Sequence, residues 1–220
     1  MDSDSQRVEI QLPGGTVVGL CKNDLIHVRG LKYAEAKRFQ TPKAAAETWD
    51  GIVDCTKPAP ICPQTPSRLD FVTGDLNQGQ TMDEDCLNVT ITAPATLSEQ
   101  KPSLPVMVWF HGGAFLSGGG DLDCYWPHDL ARRGIVTVNV TYRLGIFGFL
   151  PIDDVAPANI GLLDQIEALR WVQKNISIFG GDPARVTIAG QSAGAMSVVC
   201  MMTGQADGLF QRAILQSTRP

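Results

Sequence analysis

The pentapeptide Gly190-Gln191-Ser192-Ala193-Gly194 constrains the fold of this chain more than any other segment. It lies between an apolar run at 186–189, typical of a buried strand, and a run from Ala193 that is typical of a helix. A strand that turns sharply into a helix lifts one side chain above the edge of a sheet, and the flanking glycines leave room for the tight turn. The pattern therefore predicts an exposed Ser192 at the carboxyl edge of a sheet, beside a helix N-terminus that favours developing negative charge.

Strand-like and helix-like segments alternate from residue 87 onwards. Apolar, β-branched runs at 87–93, 104–110 and 135–142 have the length of buried strands, and a further strand is predicted at 212–216, central to the sheet. A helix is predicted from an N-cap at Asn159 to about residue 178, ended by Gly180-Gly181, with Asp182-Pro183 as a turn. This alternation predicts an α/β fold, with a mostly parallel central sheet and helices on both faces.

The first third of the chain has a different sequence pattern. Residues 8–12, 13–15 and 16–21 read as strand, turn and strand, which predicts an antiparallel hairpin at the N-terminus. Residues 55–85 carry prolines at 58, 60, 63 and 66 and little apolar periodicity. Because long loops in compact domains tend to be functional, this stretch is expected to be a covering loop.

Charge and composition exclude several classes of partner. The net charge is −5 and no run of Lys and Arg occurs, so no nucleic-acid partner is expected. The acidic, polar N-terminus lacks an apolar leader and no apolar run is long enough for a membrane span, which predicts a cytoplasmic protein, or a secreted one if a leader has been lost. The six cysteines lack C-x-x-C spacing, so neither a metal nor another cofactor is predicted.

A glycine loop follows the predicted strand 104–110. His111-Gly112-Gly113-Ala114-Phe115 would leave backbone N–H groups free to point at an oxyanion, because no side chain blocks the approach at its glycines. Taken alone, His-Gly-Gly is equally consistent with a flexible turn at a strand end. Found in the right order before the serine pentapeptide, it makes acyl transfer the favoured chemistry.

Further motifs extend over nearly the whole chain, in order: Arg38-Phe39 with Pro42, Cys62-Pro63-Gln64, Glu84-Asp85-Cys86-Leu87-Asn88-Val89, 109–115, Tyr142-Arg143-Leu144-Gly145, Gly148-Phe149-Leu150, Asn159-Ile160-Gly161-Leu162 with Asp164-Gln165, Phe179-Gly180-Gly181-Asp182-Pro183, and Ile214-Leu215-Gln216-Ser217. With these motifs the chain resembles the N-terminal part of the type-B carboxylesterases, the carboxylesterase/lipase and cholinesterase branch of the α/β-hydrolases. The resemblance implies that residues 1–220 are the N-terminal portion of one α/β-hydrolase domain, with 55–85 as the covering loop within it.

The resemblance also implies roles for residues at the pentapeptide and the glycine loop. Ser192 would attack the carbonyl of a small-molecule ester and form an acyl-enzyme. The backbone N–H groups of Gly113, Ala114 and Ala193 would form the oxyanion hole. Ala114 stands where the family usually has a third glycine, and keeps its donor unless the position needs a positive φ. Gln191 stands where many members have glutamate.

Other matching residues are expected to support the scaffold. Arg38 with Glu84, and Arg143 with Asp164, resemble ion pairs of the family. Cys62 and Cys86 match two cysteines that many secreted members join to close the covering loop. In a reducing compartment the same two residues would remain thiols, so both states stay open.

The partners that Ser192 needs are missing from the sequence. An α/β-hydrolase triad runs Ser, then Asp or Glu, then His, but only Asp207 and no histidine follow Ser192. We therefore expect a chain truncated before the catalytic acid and histidine, with a complementary C-terminal chain as a possible partner. Three alternatives remain: a rewired triad using His27, His111 or His128, a non-catalytic cholinesterase-like binding module, and an inactive truncated remnant.

Overall fold

A nine-stranded sheet organises the protein in a computed structural model that describes residues 5–46, 48–95 and 104–218. Its strands are β1 (Gln6–Leu12), β2 (Gly15–Lys22), β3 (Leu25–Lys32), β6 (Ile52–Asp54), β7 (Asn88–Pro94), β8 (Leu104–Phe110), β9 (Val136–Val140), β10 (Gly181–Gln191) and β11 (Arg212–Gln216). The strand order is β1-β2-β3-β7-β9-β8-β10-β11, and β6 pairs with β2. A separate two-stranded sheet joins β4 (Ala34–Glu35) to β5 (Lys43–Ala44). Residues 1–4, the start of the acidic N-terminus, lie outside the described residues.

The half of the sheet that contains β10, the strand leading into Ser192, is parallel, as predicted. β9, β8, β10 and β11 run in the same direction, with Val136 opposite Val106 and Val106 opposite Val186. The antiparallel half is larger than the predicted hairpin, because β3 continues it and pairs with β7, which in turn pairs with β9. The sequence predicted short antiparallel strands in the first fifty residues but gave no bounds for β3, since the polar residues His27, Arg29 and Lys32 break its apolar pattern.

Five helices accompany the strands within the described residues: α1 (Asp70–Thr73), α2 (His128–Arg132), α3 (Gly145–Gly148), α4 (Ile160–Asn175) and α5 (Ala193–Met201). α2 contacts β3, β7 and β9, whereas α5 contacts β8, β10 and β11. None of these helices is long and apolar enough to cross a bilayer. No group of three or more metal-ligating side chains occurs among the described residues.

Helix α4 begins after the predicted N-cap, Asn159, although this residue has a left-handed conformation and its side chain makes no capping hydrogen bond. The helix ends at Asn175 and a 3₁₀ turn at Ile176–Phe179 follows, before Gly180 reverses the chain at φ 77°. Asp182 and Pro183 form no turn but belong to β10, where the register with β8 shifts between Gly181 and Val186.

β11 lies at the edge of the described sheet. Ile214 and Leu215 on this strand are 44% and 39% exposed. On the neighbouring helix α5, Met196, Val199 and Met202 at its C-cap are also exposed. Together these side chains form an apolar surface, which we call the β11–α5 surface.

The Arg143–Asp164 ion pair is enclosed by the core. Arg143 Nε and Nη2 donate to the two carboxylate oxygens of Asp164 at 2.8 and 2.5 Å, and both side chains are almost fully buried. Arg143 Nη1 also donates to the carbonyl oxygen of Gln40 at 2.8 Å. Arg143 thereby links the segment between β4 and β5 to α4. Burial raises the pKa of Asp164, although Arg143 opposes that shift.

The Arg38–Glu84 pair and the two cysteines have different surroundings. Arg38 and Glu84 form a bidentate pair at the surface, where solvent screens it. Cys62 and Cys86 are free and buried. A hydrogen bond between the two thiols lowers the pKa of Cys62 and raises that of Cys86. The Sγ of Cys62 also accepts the N–H of Leu144 at 3.2 Å.

We predict that Asp164→Asn destabilises the chain strongly, because it leaves the Arg143 guanidinium buried without a counter-charge. Breaking a buried pair by removing one partner costs about 3–5 kcal/mol of unfolding free energy. Urea unfolding followed by circular dichroism measures the change. Glu84→Gln, which breaks the exposed pair beside Arg38, is the matched control and should hardly move the midpoint. Equal losses from both variants would contradict the prediction.

Candidate active site

Ser192 sits in a strained turn between β10 and α5. Its backbone has φ 53° and ψ −118°, a region that non-glycine residues rarely occupy. The turn is fixed on both sides: the Ser192 N–H donates to the carbonyl of Gln216 at the end of β11, and its carbonyl accepts the N–H of Met196 in α5, both at 2.9 Å. The two hydrogen bonds hold the serine between neighbouring elements at the carboxyl edge of the parallel strands.

The glycines of the pentapeptide are required by close backbone contacts. A Cβ atom on Gly194 would lie 2.0 Å from the carbonyl oxygen of Phe110 at the end of β8. A Cβ on Gly190 would lie 2.4 Å from the carbonyl carbon of Gly194. Since real side chains do not approach so closely, the first turn of α5 can lie against β8 and β10 only when both positions are glycine.

The glycine loop turns immediately after β8. Gly113, Ala114 and Phe115 have φ values of 114°, 57° and 62°, so three consecutive residues have positive φ. The carbonyl of Gly113 accepts the N–H groups of Leu116 and Ser117 at 2.9 and 3.0 Å and closes the turn. A side chain at Gly113 would collide with the Ser117 carbonyl, at 1.9 Å from a Cβ.

The three predicted oxyanion donors have no backbone acceptor in the described part of the chain. No hydrogen bond found there uses the N–H of Gly113, Ala114 or Ala193. Gly113 and Ala114 line a groove of about 250 Å³ together with Ser192 and Gln191. Donors without partners beside a serine are able to bind an oxygen that develops negative charge.

The covering loop forms one wall of the groove. Thr65, Pro66, Ser67, Arg68 and Leu69 line it opposite the glycine loop. Within residues 55–85 the regular structure described is the four-residue α1 and a single bridge between Ile61 and Met82.

Gln64 joins the covering loop to the glycine loop. Its side-chain amide donates to the carbonyl of Gly118 at 2.8 Å, and its Oε1 accepts the N–H of the same residue at 2.6 Å. Asn77 also donates to this oxygen, at 3.0 Å. In the sequence, Gln64 stood out only as part of a motif. Its paired amide contact joins residues 54 positions apart, and such a contact leaves no local sequence pattern.

His111 is held inside the protein as a neutral ring. It is fully buried, its Nδ1 lies 2.8 Å from the carbonyl oxygen of Gly112, and it stacks on Tyr142 with ring centroids 4.4 Å apart. The Tyr142 hydroxyl donates to the carbonyl of His111 at 2.7 Å. Burial lowers the pKa of His111 to about 4. The ring therefore positions the start of the glycine loop.

The other two histidines are placed away from Ser192. His27 and His128 line a different pocket, which shares no residue with the groove at Ser192. Among the described residues, no side chain forms a hydrogen bond with the Ser192 hydroxyl. The structure thus brings Ser192, Gly113, Ala114 and Ala193 together but offers no histidine hydrogen-bonded to the serine.

The strand-turn-helix at Ser192, on the parallel half of a mixed sheet, defines the protein as an α/β-hydrolase. Residues 4–220 match the model of the carboxylesterase family, and the chain belongs to that family. It is 46% identical over 213 residues to a probable N-octanoylanthranilate hydrolase of Rhodococcus erythropolis, covering 94% of this chain and 46% of that protein. It is 42% identical over 212 residues to a para-nitrobenzyl esterase of Bacillus subtilis, covering 92% of this chain and 42% of the relative.

Solved structures agree with the sequence relatives. The chain superposes on juvenile hormone esterase from Manduca sexta, solved with OTFP covalently attached, with a TM-score of 0.88 and 34% identity. That match covers 97% of this chain and 41% of the esterase. The chain therefore spans less than half the length of each of these relatives.

We predict that Ala114→Gly stabilises the protein, because Ala114 adopts a left-handed conformation that glycine takes without penalty. The expected gain is about 1 kcal/mol in unfolding free energy, partly offset by the added freedom of the unfolded chain. Urea unfolding measures the change. Ala195→Gly in the middle of α5 is the matched control and should destabilise, since its φ is negative and a helix loses stability on gaining glycine. A loss of stability in Ala114→Gly would contradict the prediction.

Proposed function

We propose that this chain is the nucleophile-bearing part of a serine carboxylic-ester hydrolase. The observation that carries the proposal is the groove in which Ser192 meets the N–H groups of Gly113 and Ala114, at the N-terminus of α5. Membership of the carboxylesterase family supports ester hydrolysis as the reaction class. The covalently attached compound in the Manduca sexta esterase structure is consistent with chemistry that proceeds through a covalent intermediate.

In the proposed mechanism, the Ser192 oxygen attacks the carbonyl carbon of an ester in the groove. The negative charge that develops on the carbonyl oxygen is stabilised by the N–H groups of Gly113, Ala114 and Ala193. Collapse of this intermediate releases the alcohol and leaves the acyl group on Ser192, and water then releases the carboxylic acid. A base must take the serine proton in the first step and return it to the departing alcohol.

The base and its acid are proposed to come from a complementary C-terminal chain. His111 is buried and stacked on Tyr142, so its ring is engaged elsewhere. The curated relatives extend well beyond the matched region, which leaves room in them for an acid and a histidine. The exposed β11–α5 surface next to the Ser192 turn is the part of this chain against which such a partner would pack.

No observation favours the non-catalytic alternative, because the serine and the unpaired donors are both present. An inactive remnant would share every feature of the groove, and only activity measurements separate it from the hydrolase part.

Ser192→Ala tests the nucleophile directly. The chain alone should hydrolyse 4-nitrophenyl butyrate slowly, and Ser192→Ala should abolish the enzyme-dependent part of that rate. Release of 4-nitrophenol, followed by absorbance, measures it. Ser197→Ala is the matched control, since Ser197 is buried in the same helix and its hydroxyl has no partner among the described residues. Equal rates in the Ser192→Ala variant and the parent chain would refute the assignment.

Complementation tests the origin of the base. Fusing the chain to the part of the Bacillus subtilis para-nitrobenzyl esterase that follows the matched region should raise the hydrolysis rate by about 10²–10⁴-fold, the usual contribution of a positioned general base. The rise should vanish in the Ser192→Ala version of the same fusion. A folded fusion that is no faster than the chain alone would contradict a missing base.

A further inference from the structure

The groove at Ser192 carries one charged side chain, that of Arg68 on the covering loop. Its other side chains are neutral, whether hydroxyl, amide or aliphatic, and Gln191 beside the serine is one of them. No carboxylate lines the groove within the described residues. The formal charge of the groove is therefore a single positive one, close to the proposed nucleophile.

Arg68 is not neutralised by a partner of its own. Its side chain is exposed and forms no ion pair or hydrogen bond in the part of the chain that the structure describes. Six other arginines do pair with a carboxylate: Arg7, Arg29, Arg38, Arg132, Arg143 and Arg170. Asp70, the nearest acid along the chain, begins α1 and does not line the groove. The guanidinium of Arg68 thus keeps all its donors for a ligand.

The opposite wall of the groove has the same electrostatic sign. The N–H groups of Gly113 and Ala114 have no backbone acceptor in the described part of the chain. Ser192 stands at the N-terminus of the nine-residue α5, where the helix dipole favours negative charge. In the proposed reaction these groups stabilise the charge that develops on the ester carbonyl oxygen. Arg68 is then left to bind a second negative charge on the substrate.

A carboxylate is the group that fits Arg68 best. Its two oxygens match the planar fork of a guanidinium. Its single charge also balances the single cation of the groove, whereas a phosphate dianion would be only half neutralised. A neutral ester would leave Arg68 without a partner, and a cationic ester would be repelled.

We propose that the groove selects esters that carry a carboxylate group, and that Arg68 determines this preference. The inference rests on the proposed ester hydrolysis at Ser192. The substrate carboxylate accepts hydrogen bonds from the Arg68 guanidinium, while the ester carbonyl lies at the N–H groups beside Ser192. Leu69 and Leu116, which also line the groove, contact the aliphatic part of the substrate.

Binding of 6-oxoheptanoate to the full 220-residue chain tests the preference without catalysis. This ketone has a carboxylate at one end, cannot be hydrolysed and can lie in the groove in either direction. In a protein carrying ¹⁵N-labelled alanine, the amide signal of Ala114, assigned by its loss in Ala114→Gly, should shift in a saturable way. Signals of Ala93 and Ala168, which are buried outside the groove, should stay in place. The neutral 6-oxoheptanamide should bind about fivefold more weakly, the upper range for an exposed ion pair.

Variants at Arg68 show whether this side chain carries the preference. Arg68→Gln should weaken 6-oxoheptanoate binding to the level of the amide and leave the amide unaffected, and Arg68→Lys should keep part of the preference. Arg133→Gln is the matched control, because Arg133 is also exposed and unpaired in the described part of the chain but does not line the groove. At about 1 M NaCl the preference of the parent chain should shrink, since salt screens exposed charges.

Kinetics connect the binding to the proposed reaction. The parent chain should hydrolyse mono-4-nitrophenyl adipate with a kcat/KM about fivefold above that of the 4-nitrophenyl ester of adipic acid monoamide. The difference should lie in KM, because the Arg68 contact is the same in the bound ester and in the transition state. A second pair, 4-carboxyphenyl butyrate and 4-carbamoylphenyl butyrate, places the charge on the alcohol and shows which part of the substrate Arg68 contacts.

Several outcomes would overturn the proposal. They are the absence of saturable 6-oxoheptanoate binding, equal binding of the acid and the amide, a preference that survives Arg68→Gln, and an equal loss in Arg133→Gln. Charge-selective binding without any hydrolysis that depends on Ser192 would instead contradict the proposed ester hydrolysis, while supporting Arg68 as the residue that binds a carboxylate.

Discussion

Backbone packing at the start of α5 is the constraint on which the Ser192 site depends. The helix begins so close to β8 and β10 that Gly194 and Gly190 have no room for a Cβ atom. This proximity forces Ser192 into a conformation that costs on the order of 1–3 kcal/mol, and the contacts of the surrounding strands offset that cost. The hydrogen bond from the Ser192 N–H to Gln216 shows how: the strand β11 holds the turn from the other side. Ser192 is half-buried rather than fully exposed, and its position at the carboxyl edge is a consequence of the sheet rather than of the loop itself.

The glycine loop and the covering loop line the groove beside this turn. Tyr142 anchors the beginning of the glycine loop through the carbonyl of His111, and Gln64 anchors its end through Gly118. Between these anchors the chain has positive φ at Gly113, Ala114 and Phe115, which turns carbonyl groups away and leaves two N–H groups without partners. Two hydrogen bonds between Gln64 and Gly118 therefore tie the predicted covering loop to the segment that follows the glycine loop.

The sequence predicted the parts of the molecule that follow from local pattern. Apolar, β-branched runs marked the parallel strands, and the two glycine motifs came together because each follows the carboxyl end of a neighbouring parallel strand, β8 or β10. The bounds of β3 could not be predicted because His27 and Arg29, which break its apolar pattern, make long-range contacts with Thr92 and Asp121. Asp182-Pro183 resembled a turn, yet the chain accommodates it in β10 by shifting register against β8. The sequence left open whether Ala114 has a positive φ, and the structure gives it one within the turn that the Gly113 carbonyl closes by accepting the N–H groups of Leu116 and Ser117.

The positions of the three histidines bear on whether any of them can act as the general base for Ser192. A general base must reach the serine hydroxyl and change its protonation state near neutral pH. His111 begins the glycine loop, but its ring is stacked on Tyr142, and burial lowers its pKa to about 4 and so keeps it neutral. His27 and His128 line a separate pocket, where burial first and nearby cations second lower their pKa values. None of the three rings is hydrogen-bonded to Ser192 in the described part of the chain. The predicted oxyanion donors would need only backbone N–H groups, whereas proton transfer needs a basic side chain, and the described residues bring none into hydrogen-bond contact with the Ser192 hydroxyl.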